Sequence, residues 1–140
     1  IGSLYTSIMP NLIVDGVVEQ LRSNTVKKIY FCNAMTQPGE TDDFTLEDHV
    51  AAIQKHSFPE AVDIVITHNN RASDHILKKY KEMGSEPVRV AQKEHSYQIL
   101  YRDVLNFDDD LIRHDSNKIR DVLGEIINSK DEEECLLQQK

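Results

Sequence analysis

Short apolar runs alternate with helix-patterned stretches along this chain, and that alternation limits the folds open to it. The clearest run is Ala61–Thr67, AVDIVIT. A run this rich in β-branched residues reads as a buried strand. A second apolar segment, Val26–Cys32, reads the same way. Between them Thr45 starts a helix, with Asp48 three residues on in a capping-box arrangement and Leu46, Val50 and Ile53 on one face. After AVDIVIT, Ser73 caps a helix through Met83, with Ile76, Leu77 and Tyr80 facing inward, and Gly84 terminates it. Strand–helix alternation predicts an α/β fold, a Rossmann-like and mostly parallel sheet with helices on both faces. Right-handed crossovers then carry the strand ends to one edge. There the Gly2 helix start, Asn33 and the segment after Thr67 should meet at a common rim.

The remaining elements follow the same logic. Ser3–Leu21 has helical character, bent or split at Pro10 and at Asp15-Gly16. Val88–Val90 reads as a short strand, and Tyr97–Leu105 as an edge strand or hairpin partner. Asp108–Asp110 makes a polar turn, and Leu111–His114 a further short strand. Asp115 then caps a helix with an apolar stripe of Ile119, Val122, Leu123, Ile126 and Ile127. Residues 1–130 therefore form one α/β unit. Residues 131–140 read as a polar tail, a frayed or mobile extension.

Composition narrows the function classes. The chain has 140 residues and a net charge of -8, which argues against a nucleic-acid surface, because phosphate backbones select basic patches. Cys32 and Cys135 fit neither a metal nor a redox spacing. Cys32 lies in an apolar strand and reads as a packing residue. With no signal peptide or transmembrane run, the expectation is a cytoplasmic protein with no membrane partner.

Two polar runs carry the chemistry. Gly2-Ser3-Leu4-Tyr5-Thr6-Ser7 opens a helix, where unpaired N–H groups and the helix dipole favour an anion. Gly2 allows close approach, and Ser3, Thr6 and Ser7 add hydroxyls. The alternative is that Ser3 only caps the helix. The second run, Asn33-Ala34-Met35-Thr36-Gln37-Pro38-Gly39-Glu40-Thr41, follows a strand, which is where ligands bind in open α/β sheets. Asn33 and Gln37 offer amide groups, while Pro38-Gly39 is a turn signal. An ordinary turn is the competing reading.

Together, GSLYTSIMPNL and CNAMTQPGETDDFTLEDHV resemble signature segments of the gluconeogenesis factor family, the YvcK-like proteins. That family is similar in fold to the CofD enzyme, 2-phospho-L-lactate transferase. The resemblance runs from Ile1 to about Asn128. The family usually reads Gly-Pro-Gly-Ser where this chain has Ile1 before Gly2, and its opening Gly-Gly-Gly-Thr-Gly phosphate loop has no counterpart here. The resemblance thus implies the C-terminal part of a larger domain, with a missing N-terminal half or a second copy as possible partner.

The resemblance also implies function. YvcK-like proteins bind UDP-sugars, and Ile-Arg-His before the last helix is similar to the family's pyrophosphate-side arginine. Gly2, Ser3, Leu4, Thr6, Ser7, Asn33, Thr36, Gln37, Gly39, Glu40 and Arg113 are then the candidate ligand-binding residues, with no catalytic residue assigned. Read without the resemblance, Arg113 could equally form a surface salt bridge with Asp110 or Asp115, and His114 a structural contact. Arg71 in the loop after AVDIVIT can reach a phosphate or sit in a solvated turn. Glu40, Asp42, Asp43, Glu47 and Asp48 can assist a Mg2+ ion held by substrate phosphates, or act as first-turn acids complementing a helix dipole. His49 and His56 make no zinc pattern. The expected function is a UDP-sugar (UDP-N-acetylglucosamine-like) binding regulator of cell shape and cell-wall precursor supply on gluconeogenic carbon sources. The alternative is a nucleotide-dependent phosphoryl-lactyl-type transferase.

Overall fold

The computed structural model describes residues 2–91 and 94–137, with side chains described through Asn128. Ile1 and residues 138–140 lie outside the described residues, as does the side chain of Cys135. A π-helix, Leu4–Ile8, runs into α1 (Met9–Leu12), followed by α2 (Val17–Ser23). The expected helix is therefore split at Asp15-Gly16, where Gly16 takes φ +83 as the cap of α2. Pro10 sits in the first turn of α1, a position that needs no N–H donor.

The sheet is built from β1 (Ile29–Phe31), β2 (Ile64–His68) and β3 (Gln98–Arg102), all parallel, in the order β1-β2-β3. Its register aligns Tyr30 with Val65 and Val65 with Ile99. All three side chains join one apolar cluster. Phe31, Ile66 and Leu100 align in the next row and join the other. This is the period-2 alternation of a strand whose two faces are both covered.

Two helices supply the cover. On one face, α3 (Leu46–Lys55) buries Leu46, Val50 and Ile53 against Tyr30 and Val65, together with Leu4 and Met9. On the other, α5 (Ser116–Leu137) brings Val122 and Ile126 against Ile64 and Ile66. The α/β expectation, with helices on both faces, holds. α3 opens with the expected capping box. The Thr45 hydroxyl accepts from Asp48 N–H, and the Asp48 carboxylate accepts from Thr45 N–H at 2.9 Å.

Several boundaries differ from the sequence reading. β1 is shorter than Val26–Cys32, although the Cys32 N–H still donates to the Ile66 carbonyl at 2.9 Å. β2 begins at Ile64 rather than Ala61, because the Asp63 carboxylate turns aside to accept from Lys28 N–H at 2.7 Å. Val88–Val90 is not a strand. Val88 N–H donates to the Ala34 carbonyl, and the Arg89 carbonyl accepts from Leu46 N–H, so this segment stitches loops together instead of joining the sheet. Of Tyr97–Leu105, Gln98–Arg102 is the parallel edge strand. Its end leads into β4 (Leu105–Asn106), which pairs antiparallel with β5 (Arg113–His114).

α4 (Asp74–Glu82) has Ser73 as its N-cap, and Gly84 follows at φ +79. The α5 stripe is narrower than expected, since Ile127 is 61% exposed. The segment expected as a tail continues α5 through Leu137. No helix among the described residues is long and apolar enough to cross a membrane.

Ile66 is fully buried on the β2 face that packs against α5. Ile66→Ala should lower the unfolding free energy by about 2–5 kcal/mol. Chemical denaturation measures this, and a near-neutral substitution would mean that the α5 face is not a packed core.

Candidate functional site

The loop after β1 is built from its own hydrogen bonds. Tyr30 Oη donates to Asn33 Oδ1 at 2.8 Å, which turns the Asn33 NH2 toward the Gly2 carbonyl, 3.1 Å away. Thr36 is buried, and its backbone and side chain are sewn to the turn after α4. Thr36 N–H donates to the Glu86 carbonyl at 2.7 Å, and the Thr36 hydroxyl accepts from Glu86 N–H at 2.9 Å. The Ser85 hydroxyl donates to the Thr36 carbonyl at 2.6 Å. Gly39 takes φ +79 in the turn that follows, where its N–H donates to Asp42. The Gln37 carbonyl accepts from Glu40 and Thr41 N–H. This rigid loop places Gln37 beside a cleft and leaves its buried Oε1 without a hydrogen-bond partner.

The cleft measures about 670 Å³. It is lined by Gly2 and Ser3, by the Asn33–Pro38 loop, by Tyr80, Met83 and Ser85, and by Ile112 to His114. Tyr80 Oη accepts from Ile112 N–H at 3.0 Å, tying α4 to the strand that carries Arg113. The Arg113 guanidinium has no hydrogen-bond or ionic partner among the described residues. The alternative salt bridges do not form. Asp110 lies 3.7 Å from His75, and Asp115 caps α5 by accepting from Asn117 and Lys118 N–H. A free guanidinium beside a cleft is suited to bidentate contact with a phosphate or carboxylate.

The candidate residues divide clearly. Gly2, Ser3, Asn33, Thr36, Gln37 and Arg113 line the cleft. Glu40 reaches it through Ser3, whose hydroxyl donates to Glu40 Oε2 at 2.5 Å. Leu4 does not line the cleft: its side chain is fully buried in the core with Tyr30 and Val65. Thr6, Ser7 and Gly39 also lie off the cleft wall. Thr6 N–H is taken by the Ser3 hydroxyl, and the N–H groups of Ser7 and Ile8 by the Ser3 carbonyl. Ser3 thus caps a short π-turn, and those donors do not face a ligand. A Cβ on Gly2 would collide with the Ser7 side chain, so the glycine is needed for this close packing.

The segment after β2 does not join the same rim. His68, Asn70 and Arg71 line a smaller neighbouring cavity, and Arg71 pairs with Asp74 at 2.8 Å on the exposed surface. Three of the acids after Pro38 are engaged elsewhere. Asp42 accepts from Gly39 N–H, Asp48 caps α3, and Glu47 is buried, accepting from Ala91 N–H at 2.9 Å. Among the described residues no three potential metal ligands converge, so these carboxylates do not fit a magnesium site on their own. Burial pushes the Cys32 thiol up to about 12, as suits an inert packing cysteine.

Sequence reasoning did not single out Tyr80, Met83, Ser85 and Ile112 as site residues. Their signal is non-local. Only the tertiary fold brings the end of α4 and the approach to β5 against the Asn33 loop.

Comparison with known proteins bears on the family and the fold. The family model described as 2-phospho-L-lactate transferase CofD matches residues 1–105. The chain belongs to the CofD family. A gluconeogenesis factor of Halalkalibacterium halodurans is 39% identical over 129 residues, covering 89% of this chain and 39% of the relative. The gluconeogenesis factor of Bacillus subtilis is 35% identical, covering 90% and 41%. The crystal structure of a UPF0052-family protein from Bacillus halodurans superposes with a TM-score of 0.80 at 38% identity, covering 87% of this chain and 40% of that one. The chain therefore spans about two fifths of the length of these relatives.

In this cleft, burial pushes the His114 imidazole down to about 4. His114 is then neutral at pH 7, and Arg113 carries the cationic charge of that wall. Because the unfolded chain binds a proton near the ordinary histidine value and the folded chain does not, stability should fall as pH drops from about 6.5 toward 4. His49, also lowered by burial, acts in the same sense. Denaturation midpoints across that range should show the decline, and His114→Asn should make it shallower. An unchanged profile would place His114 outside the buried site.

Proposed function

We propose that this chain supplies the sugar-nucleotide site of a gluconeogenesis factor, a regulatory protein that binds a UDP-sugar of the UDP-N-acetylglucosamine type. In this reading, sugar-nucleotide level is linked to cell-wall precursor supply and cell shape during growth on gluconeogenic carbon sources. Several features support it. The named relatives are gluconeogenesis factors. The cleft of about 670 Å³ is of a size for a small ligand, within the usual range for such sites. It is also lined by groups that differ in chemistry from wall to wall.

The observation that carries the reading is Arg113, exposed on the cleft lining with no hydrogen-bond or ionic partner for its guanidinium among the described residues. An arginine without an acid partner beside a cleft is available to an anionic group, and a pyrophosphate provides two. The amide of Asn33 is fixed by Tyr30, and Gln37 also lines the cleft. Both are suited to the uncharged polar parts of a nucleotide or sugar.

Calorimetric titration of UDP-N-acetylglucosamine into the full-length protein tests this. Arg113→Ala should weaken binding by about 2 kcal/mol or more, roughly 30-fold, with the fold intact. Arg113→Lys should recover only part of the loss, because it restores the charge without the planar fork. Unchanged affinity in a folded Arg113→Ala protein would remove Arg113 from the site.

A further inference from the structure

We propose that Glu40 fixes Ser3 as a hydrogen-bond acceptor, so that the Ser3 corner of the cleft reads a ligand hydroxyl and not a phosphate oxygen. This deepens the sugar-nucleotide reading and rests on it. It assigns the two ends of the ligand to different residues, with the diphosphate on Arg113 and the sugar on Ser3.

A serine hydroxyl has one proton and two lone pairs. In Ser3 the proton is committed to Glu40 Oε2, 2.5 Å away, in a partly buried contact. One lone pair accepts from Thr6 N–H at 3.2 Å. What remains for a ligand on the cleft wall is a single acceptor position. A phosphate oxygen of a diphosphate has no proton to give it. That oxygen would also face the Glu40 carboxylate directly behind Ser3, a like-charge juxtaposition that disfavours binding. A sugar hydroxyl does have a proton to give. Its donation to Ser3 continues a relay from hydroxyl to Ser3 to carboxylate, in which each bond polarises the next.

The backbone that carries Glu40 is held in place. Glu40 N–H donates to the Gln37 carbonyl at 3.0 Å, and Gly39, immediately before it, is fixed through Asp42 at 2.8 Å. The backbone on the Ser3 side is pinned as well, since the Gly2 carbonyl accepts from Asn33. Glu40 is thus a positioning residue. It acts through Ser3, and its effect is on which ligand the cleft prefers.

Glu40→Gln tests the assignment. The glutamine keeps the shape but can donate its NH2 to Ser3 Oγ, which frees the serine proton for a phosphate. The full-length protein, wild type and variant, is titrated separately with UDP and with UDP-N-acetylglucosamine. The wild type should favour the sugar conjugate. In Glu40→Gln the ratio of the two affinities should fall about tenfold, as expected for losing one hydrogen bond to a charged group.

Ser3→Ala, which removes the acceptor, should lower the same ratio. Adding Glu40→Gln to it should then change the ratio no further. A ratio unchanged in Glu40→Gln, or both affinities falling equally, would overturn the assignment while leaving the sugar-nucleotide reading intact. Failure of the wild type to bind either nucleotide would overturn both.

Discussion

Burial of β2 on both faces is the constraint from which the rest of the architecture follows. Val65 packs toward α3 and the N-terminal helices, and Ile64 and Ile66 pack toward α5. A parallel strand has no solvent face to spare, so its neighbours must be connected by crossovers that also cover the sheet. Once β1 and β2 are parallel and in register, the chain leaves β1 at the same edge as it leaves β2. The Asn33–Thr41 loop is therefore committed to that edge before any of its own side chains are considered.

At that edge, polar groups cannot be left to chance. Thr36 and Thr41 are buried, and a buried polar atom without a partner is destabilising by about 1–3 kcal/mol. The loop meets this by bonding to itself and to Ser85 and Glu86. It becomes rigid as a consequence. Asn33 cannot rotate without losing either Tyr30 or Gly2. Rigidity of this kind lowers the ordering cost when a ligand arrives.

What was legible in the sequence was local. The Thr45–Asp48 capping box, Ser73 and Gly84 bracketing α4, Asp115 at the start of α5 and the AVDIVIT strand each depend on residues within a few positions of one another. What was not legible depends on distant partners. Val88–Val90 has strand-like composition, but its hydrogen bonds go to Ala34 and Leu46. Leu4 sits inside a motif that reads as a ligand loop, yet the packing of the first helices turns it wholly into the core. Tyr80 and Ile112 come together through a phenol oxygen on α4 that meets a backbone N–H some thirty residues later in the chain.

The overall charge is another quantity that misleads when read without the fold. At -8 the chain looks unsuited to an anionic ligand. Yet the potential in a cleft depends on which charges face it and how they are paired, not on their sum. Here several acids are assigned to other partners. Asp110 lies beside His75, Asp115 caps α5, Asp42 holds Gly39, and Glu40 takes the Ser3 proton. Arg113 alone on its wall keeps its charge unspent. The same carboxylates that make the molecule acidic therefore leave one cation available and place one anion behind a serine. A ligand carrying both negative charge and hydroxyl donors could use both features of this surface in one binding pose.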